Sequence, residues 1–191
     1  MAKKKLISIG IDVGSTNGAI GIIDSNLKIL YASKVPVYQT INKSKRNKSK
    51  LNKKTMKYEK DYRKKAWVDF KEIGKVFKPF LSKNLLYTVE KVIVKPGEGE
   101  PSSFAFGNAM GIFQGLYPFL NPIAYYEPLA AIWKKDLGVT SDKSTSIELA
   151  EKIYKVELDK FIEKGKVDDI AEALLLAFYG LRQYYKDEIE R

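Results

Sequence analysis

The alternation of hydrophobic and polar positions changes period several times along the chain, and each change predicts an element. Leu6-Ile7-Ser8-Ile9-Gly10-Ile11-Asp12 is a β-branched run with small or polar residues at alternate positions, which predicts a buried strand. Gly14–Gly18 predicts a turn, Ala19–Asp24 a second strand, Ser25-Asn26 another turn, and Leu27–Val37 a third strand that Pro36 helps to end. Three strands joined by tight turns predict an antiparallel meander. Apolar residues then recur at helical spacing, at Trp67, Phe70, Ile73, Phe77 and Phe80-Leu81, and predict an amphipathic helix closing near Ser82–Asn84. Leu85–Val94 reads as a fourth strand with Glu90 inside it. After a loop over 95–101, Ser102–Tyr117 reads as a helix rich in small residues and Asn121–Tyr126 as a fifth strand. Pro128–Trp133, Ser144–Tyr154 and Asp168–Tyr185 complete the order βββαβαβααα, an α/β layout with a mixed sheet.

Composition narrows the chemistry. The chain has 191 residues, enough for one domain with a sizeable insertion, and 45% hydrophobic residues, enough for a proper core. It has no Cys and no His. Disulfide scaffolds, Cys/His zinc sites, cysteine nucleophiles and Ser-His-Asp triads are excluded, so metal ligands and acid–base groups must be carboxylates, lysines or hydroxyls. No apolar run approaches the roughly 20 residues that span a bilayer. The basic start Lys3-Lys4-Lys5 leads into an apolar stretch that Gly10 and Asp12 interrupt, without the cleavage site of a signal peptide. The expectation is a soluble cytoplasmic protein, not secreted and not in a membrane.

The net charge of +11 is concentrated in one place. Residues 43–65 hold twelve basic residues against Glu59 and Asp61, and the rest of the chain is nearly neutral. This Ser- and Asn-rich insertion, over 40–65, is expected to be a mobile arm until it meets a partner. It would attract a polyanion strongly and in a salt-dependent way, with Lys45, Arg46, Lys48, Lys50, Lys53, Lys54 and Arg63 as candidate DNA contacts and Tyr38, Tyr58 and Tyr62 as stacking groups. A solvated loop or an anionic membrane surface would also suit such a run.

Acidic residues fall at the ends of apolar elements. Asp12 closes the first strand, Glu90 lies in the fourth, and Asp168, Asp169 and Glu172 open the last helix at spacings that let either aspartate share a face with Glu172. Asp169-x-x-Glu172 taken alone fits a helix capping box. Asp12 could bond the turn after it, and Glu90 could pair with Lys91. Acids in three separate core elements are less well explained by three separate accidents, because converging carboxylates repel and burying them is costly. Oxygen-seeking divalent cations such as Mg²⁺ or Mn²⁺ would neutralise them.

Taken together these residues resemble a known family. Gly10-Ile-Asp12-Val-Gly14, Val89-Glu90-Lys91 and Lys166-Val-Asp168-Asp169-Ile-Ala-Glu172-Ala-Leu-Leu-Leu-Ala177 resemble the RuvC-like Holliday junction resolvases of the ribonuclease H superfamily, most of all the phage-type and plastid-type branch. The Ser102–Gly115 helix, Ile132-Trp133-Lys134-Lys135-x-Leu-Gly138 and the following Lys143 are also similar to theirs. The resemblance implies a single nuclease domain over 1–191. Its sheet would be ribonuclease H-like, mixed and five-stranded, an antiparallel meander plus two parallel strands flanked by helices. It implies an endonuclease that resolves four-way DNA junctions by paired nicks, in the cytoplasm of a bacterium or a phage-infected host, as a homodimer on branched DNA. The catalytic and metal-binding residues would be Asp12, Glu90, Asp169 and Glu172, with Asp168 as second choice at the metal and two Mg²⁺ or Mn²⁺ per site. Lys134, Lys135, Lys143 and Lys91 would contact DNA. Bacterial members usually carry Asp where this chain has Glu172. Ser102 and Ser103 are expected to cap their helix.

Three other readings compete. The same chemistry could act on flaps, forks or other branched substrates. A non-cleaving junction-binding protein could keep the fold, although converging acids give a DNA binder nothing. Ile11–Gly18 also resembles the first phosphate loop of sugar-kinase and actin-type ATPases, but such enzymes need two lobes, and 191 residues supply one.

Overall fold

The computed structural model describes residues 5–14, 17–46, 50–52, 57–59, 62–81, 84–93, 100–161 and 167–190. The meander forms as its pattern predicts: β1 (Leu6–Asp12) pairs antiparallel with β2 (Ala19–Asp24), and β2 with β3 (Ile29–Lys34). On its other edge β1 runs parallel to β8 (Asn84–Val89), which runs parallel to β9 (Ala124–Tyr126). The five-stranded sheet is therefore mixed, ordered β3-β2-β1-β8-β9, with β1 in the middle.

Alternation along the strands sorts side chains into two layers. Ile7, Ile9 and Ile11 of β1, Ile20 and Ile22 of β2, and Leu85, Tyr87 and Val89 of β8 pack towards one cluster. That cluster includes Ile73 and Phe77 of α1 (Phe70–Phe77) and Met110, Phe113 and Leu116 of α2 (Glu100–Leu120). Leu6, Ala19, Ile23 and Leu86 face the opposite cluster. There they meet Trp133 of α3 (Ala130–Leu137), Ala150 and Tyr154 of α4 (Lys143–Tyr154), and the buried stretch Ile170–Ala177 of α5 (Val167–Glu190). Helices thus cover both faces of the sheet, as parallel strands require.

The main departure from expectation lies between β3 and α1. There β4 (Val37–Arg46) pairs antiparallel with β7 (Tyr62–Val68) as a two-stranded ribbon, with Tyr38 opposite Trp67 and Asn42 opposite Arg63. Two short strands, β5 (Lys50–Asn52) and β6 (Lys57–Glu59), pair beyond it. The expected third strand over Leu27–Val37 is therefore two elements broken at Val35-Pro36. Trp67, read as the first residue of a helix, belongs to the ribbon; α1 starts at Phe70, where the Asp69 carboxylate accepts the N–H groups of Lys71 and Glu72. Pro79 then tightens Lys78–Phe80 into a 3₁₀ turn.

Candidate active site

The register of the two central strands brings the first two acids together. Ile11 lies opposite Val89 in the parallel β1–β8 ladder, and the next rung is the Glu90 N–H donating to the Ile11 carbonyl at 2.9 Å. Glu90 is thus one residue past the end of β8 rather than inside it, next to Asp12 at the same edge of the sheet. Helix α5 crosses that edge and supplies the third acid. One carboxylate oxygen each from Asp12, Glu90 and Glu172 lie within 4.8 Å of one another.

The cluster is electrostatically frustrated. Burial, followed by the charges of Glu90, Glu172 and Asp169, pushes the Asp12 carboxyl well above its ordinary range, against the opposing pull of Lys134. Burial and the charge of Glu172 push Glu90 up to about 7. Glu90 Oε2 is buried without a hydrogen-bond partner. The Trp133 indole nitrogen, also buried and outside hydrogen-bond geometry, is near enough to favour the ionised form of Glu90. These are converging hard oxygen donors with no nitrogen or sulfur ligand beside them, and one buried oxygen lacks a partner. The set fits a divalent cation of the Mg²⁺ or Mn²⁺ type.

Asp169 and Asp168 have different surroundings. Helix α5 already includes Val167, so Asp169 is inside the helix and is not the N-cap of a capping box. Its charge acts on Asp12, although it is outside the group of three closest oxygens. Asp168 forms an ion pair with Lys143 at the rim of the site. Glu172 does not reach back to the helix terminus. Its Oε1 accepts from Lys134 Nζ at 2.6 Å and from Ser146 Oγ at 3.2 Å.

Of the expected DNA-contacting lysines, Lys134 and Lys143 therefore touch the acids, whereas Lys135 and Lys91 are exposed beside them. Lys91 bridges to Leu129 and, with Glu90, lines a mostly apolar cleft of about 390 Å³ shared with Val13, Ile93 and Phe106. Lys45, Arg46, Lys50 and Arg63 sit on the strands of the ribbon and its distal hairpin. Lys48, Lys53 and Lys54 lie outside the described residues. Ser102 and Ser103 fall inside α2, which starts at Glu100, so neither is its cap. Ser146 was not foreseeable: no motif distinguishes it from the other hydroxyl residues near the start of α4. Among the described residues no helix is long and apolar enough to cross a membrane.

No protein-family model and no curated protein matches the sequence. Solved structures match the fold. RuvC of Thermus thermophilus in complex with Holliday junction substrate superposes with a TM-score of 0.56 at 15% identity, over 95% of this chain and 96% of that one. A second structure of Thermus thermophilus RuvC gives 0.52 at 14% identity, over 96% of each chain. The yeast mitochondrial Holliday junction resolvase Ydc2 gives 0.51 at 15% identity, over 98% of this chain and 83% of that one. The chain has the fold of the RuvC-like resolvases, a ribonuclease H-like α/β architecture.

Proposed function

We propose that the chain is a metal-dependent, structure-specific DNA endonuclease that resolves four-way junctions by paired nicks. The observation that carries this reading is the convergence of Asp12, Glu90 and Glu172 at the central edge of a RuvC-like sheet. In the proposal Asp12, Glu90, Asp169 and Glu172 hold two Mg²⁺ or Mn²⁺ ions, which would polarise a scissile phosphate and make a water nucleophilic at neutral pH. Lys134 and Lys143 set positive charge beside the acids, suited to phosphates flanking the cut, and Lys91 and Lys135 extend it outwards. The basic ribbon holds an arm of the branched DNA through its phosphates. The protein acts in the cytoplasm, where such DNA is found.

Paired nicks need two active sites, and helix α2 offers a surface for a second copy. From Pro101 to Tyr126 the chain carries no charged residue, although 30% of all its residues are charged. Gly107, Gly111 and Gly115 line one exposed face of α2, with open space beyond each and Phe104 and Phe119 exposed near its two ends. Each exposed helical glycine costs about 1 kcal/mol relative to alanine, a cost that close approach of a second helix would offset. Two copies of a strongly basic chain repel least where neither bears charge.

The test is cleavage of a labelled four-way junction with Mg²⁺ or Mn²⁺, alongside flaps and forks, with Asp169→Asn as control. Symmetric paired nicks that vanish in the variant while DNA binding persists support the proposal. Undiminished cleavage by Asp169→Asn would sink the metal assignment, and equal cleavage of flaps and forks would replace the substrate.

A further inference from the structure

Glu172 has one more rotatable bond than an aspartate, and that bond must be fixed if the carboxylate is to meet Asp12 and Glu90 in one geometry. The fixing contacts all reach the same oxygen. Oε1 accepts from Lys134 of α3 and from Ser146 of α4, so two helices grip one end of a side chain carried by a third. Lys134 is itself steadied over the ring of the fully buried Trp133, 5.3 Å from its centroid. Ser146 has no exposed surface at all. A hydroxyl inside a helix commonly bonds the carbonyl one turn back; the Ser146 hydroxyl reaches across to α5 instead.

We propose that Ser146 is a positioning residue for the metal centre, holding Glu172 Oε1 so that Oε2 is presented to a divalent cation alongside Asp12 and Glu90. The proposal rests on the reading of these acids as metal ligands. Of the two donors, the serine is the one whose hold survives a change of charge. Beside a bound divalent cation the Lys134 ammonium would be repelled, whereas the Ser146 hydroxyl carries no net charge and would keep its bond. Lys134 would then be free to meet a phosphate, with the carboxylate still oriented through Ser146. Groups of this kind, which touch the ligand and not the metal, typically change metal affinity by about 10- to 100-fold when removed.

The experiment is calorimetric titration of the 191-residue chain with Mn²⁺, in the absence of DNA, for wild type, Asp12→Asn, Ser146→Ala and Ser146→Thr. Wild type is expected to bind Mn²⁺ and Asp12→Asn to lose it. Ser146→Ala should weaken binding about 10-fold or more, with little change in metal-free melting temperature, and Ser146→Thr, which keeps the hydroxyl, should stay close to wild type. Wild type that takes up no Mn²⁺, or Asp12→Asn that binds it as tightly, would overturn the metal centre and the proposal with it. Normal binding by Ser146→Ala, given a wild type that binds and an Asp12→Asn that does not, would overturn the positioning role alone. A loss in Ser146→Thr as large as in Ser146→Ala would assign Ser146 to packing and also overturn it.

Discussion

A Cβ placed on Gly10 would lie 2.3 Å from the backbone nitrogen of Ala177 and 2.2 Å from the Ala173 carbonyl oxygen. Helix α5 therefore rests directly on the backbone of β1, and also on that of β2 at Gly21, where a Cβ would lie 2.7 Å from the Leu174 nitrogen. One step back along the same face, the Ser8 hydroxyl donates to the Ala177 carbonyl at 2.6 Å. One step forward is Asp12. Ser8, Gly10 and Asp12 are successive residues on one side of a strand, and they face α5 from its middle back to its first turn. The close contact at Gly10 sets how near Glu172 comes to Asp12.

Gly10→Ala is accordingly expected to do two things at once. The methyl group meets backbone atoms on a helix, which cannot rotate away, so the variant should lose about 1–3 kcal/mol or more to overpacking, read as a lower midpoint in urea. Moving α5 outwards should also separate Glu172 from Asp12, lowering Mn²⁺ affinity even at temperatures where the variant remains folded. A variant as stable as wild type would mean that the strand and helix are not in contact.

The acids should destabilise the protein whenever no divalent cation is present. Burial, and after it the like charges of Glu90, Glu172 and Asp169, lifts the Asp12 carboxyl well above the ordinary range. Asp12→Asn removes a charge from the middle of the cluster. In chelator near pH 8 the variant should melt higher than wild type, because the carboxyl that burial and its neighbours disfavour has been replaced by a neutral amide. Excess Mg²⁺ or Mn²⁺ should raise the melting temperature of wild type and leave that of Asp12→Asn almost unchanged. The paired measurement is thermal melting with chelator and with metal; equal responses of the two proteins would contradict a cation site at Asp12.

Much of this arrangement was legible in the sequence because it depends on short-range patterns. Alternating β-branched residues identified β1 and β2, the apolar run before Glu90 identified β8, and Asp169-x-x-Glu172 ahead of a long apolar stretch identified α5. What was not legible depends on partners distant in sequence. The second half of β4, from Asn42 to Arg46, has poor strand propensity and is strand only because β4 pairs with β7. Trp67 precedes Phe70 by a helical interval, yet Asp69 caps the helix between them. Ser146 acquires its role only because α4 packs on α5, which no local pattern encodes.

Asp24 makes the fold sensitive to acid at the opposite end of the sheet from the acids. Burial alone would raise its carboxyl, but the backbone N–H groups of Lys28 and Asn26, at 3.0 and 2.9 Å, and the Lys5 ammonium hold it below the ordinary carboxylate range. A carboxyl depressed in the folded state contributes stability that is fully present above its unfolded value and lost as pH falls through the folded one. Asp24→Asn should therefore cost about 1–3 kcal/mol near pH 7, and the gap to wild type should close as the pH is taken below about 4. Urea titrations across that range read it directly; a gap that widens on acidification would reverse the assigned sign.

The glycine face of α2 allows stability and association to be separated. Nothing outside its own helix turn lies within 4 Å of a Cβ built on Gly111, so a side chain there starts out in open space in a lone subunit. Gly111→Leu should raise the stability of the isolated chain by about 0.5–1 kcal/mol through helix propensity alone. The same leucine would hold two copies of α2 apart. Light scattering should find a dimer for wild type and a monomer for the variant, with paired nicking of a junction reduced to independent single nicks. A variant that remains dimeric would move the interface elsewhere.

The ribbon's share in DNA binding can be measured without disturbing the sheet. Asn42 and Arg63 face one another across β4 and β7, so a two-residue Asn-Gly turn can join them and close a shorter hairpin. The variant lacks residues 43–62 and with them Lys43, Lys45, Arg46, Lys48, Lys50, Lys53, Lys54, Lys57 and Lys60, against only Glu59 and Asp61. For every DNA phosphate that the shortened ribbon no longer neutralises, the slope of log affinity against log salt should fall by about 0.9. Binding to a four-way junction should therefore weaken most at low salt, and the two proteins should converge as salt rises. Cleavage at saturating DNA should change little, because Asp12, Glu90, Asp169 and Glu172 all lie outside the segment removed. Equal affinity at low salt would show that the ribbon does not touch DNA, and an inactive variant at saturation would mean that the ribbon helps to build the active site.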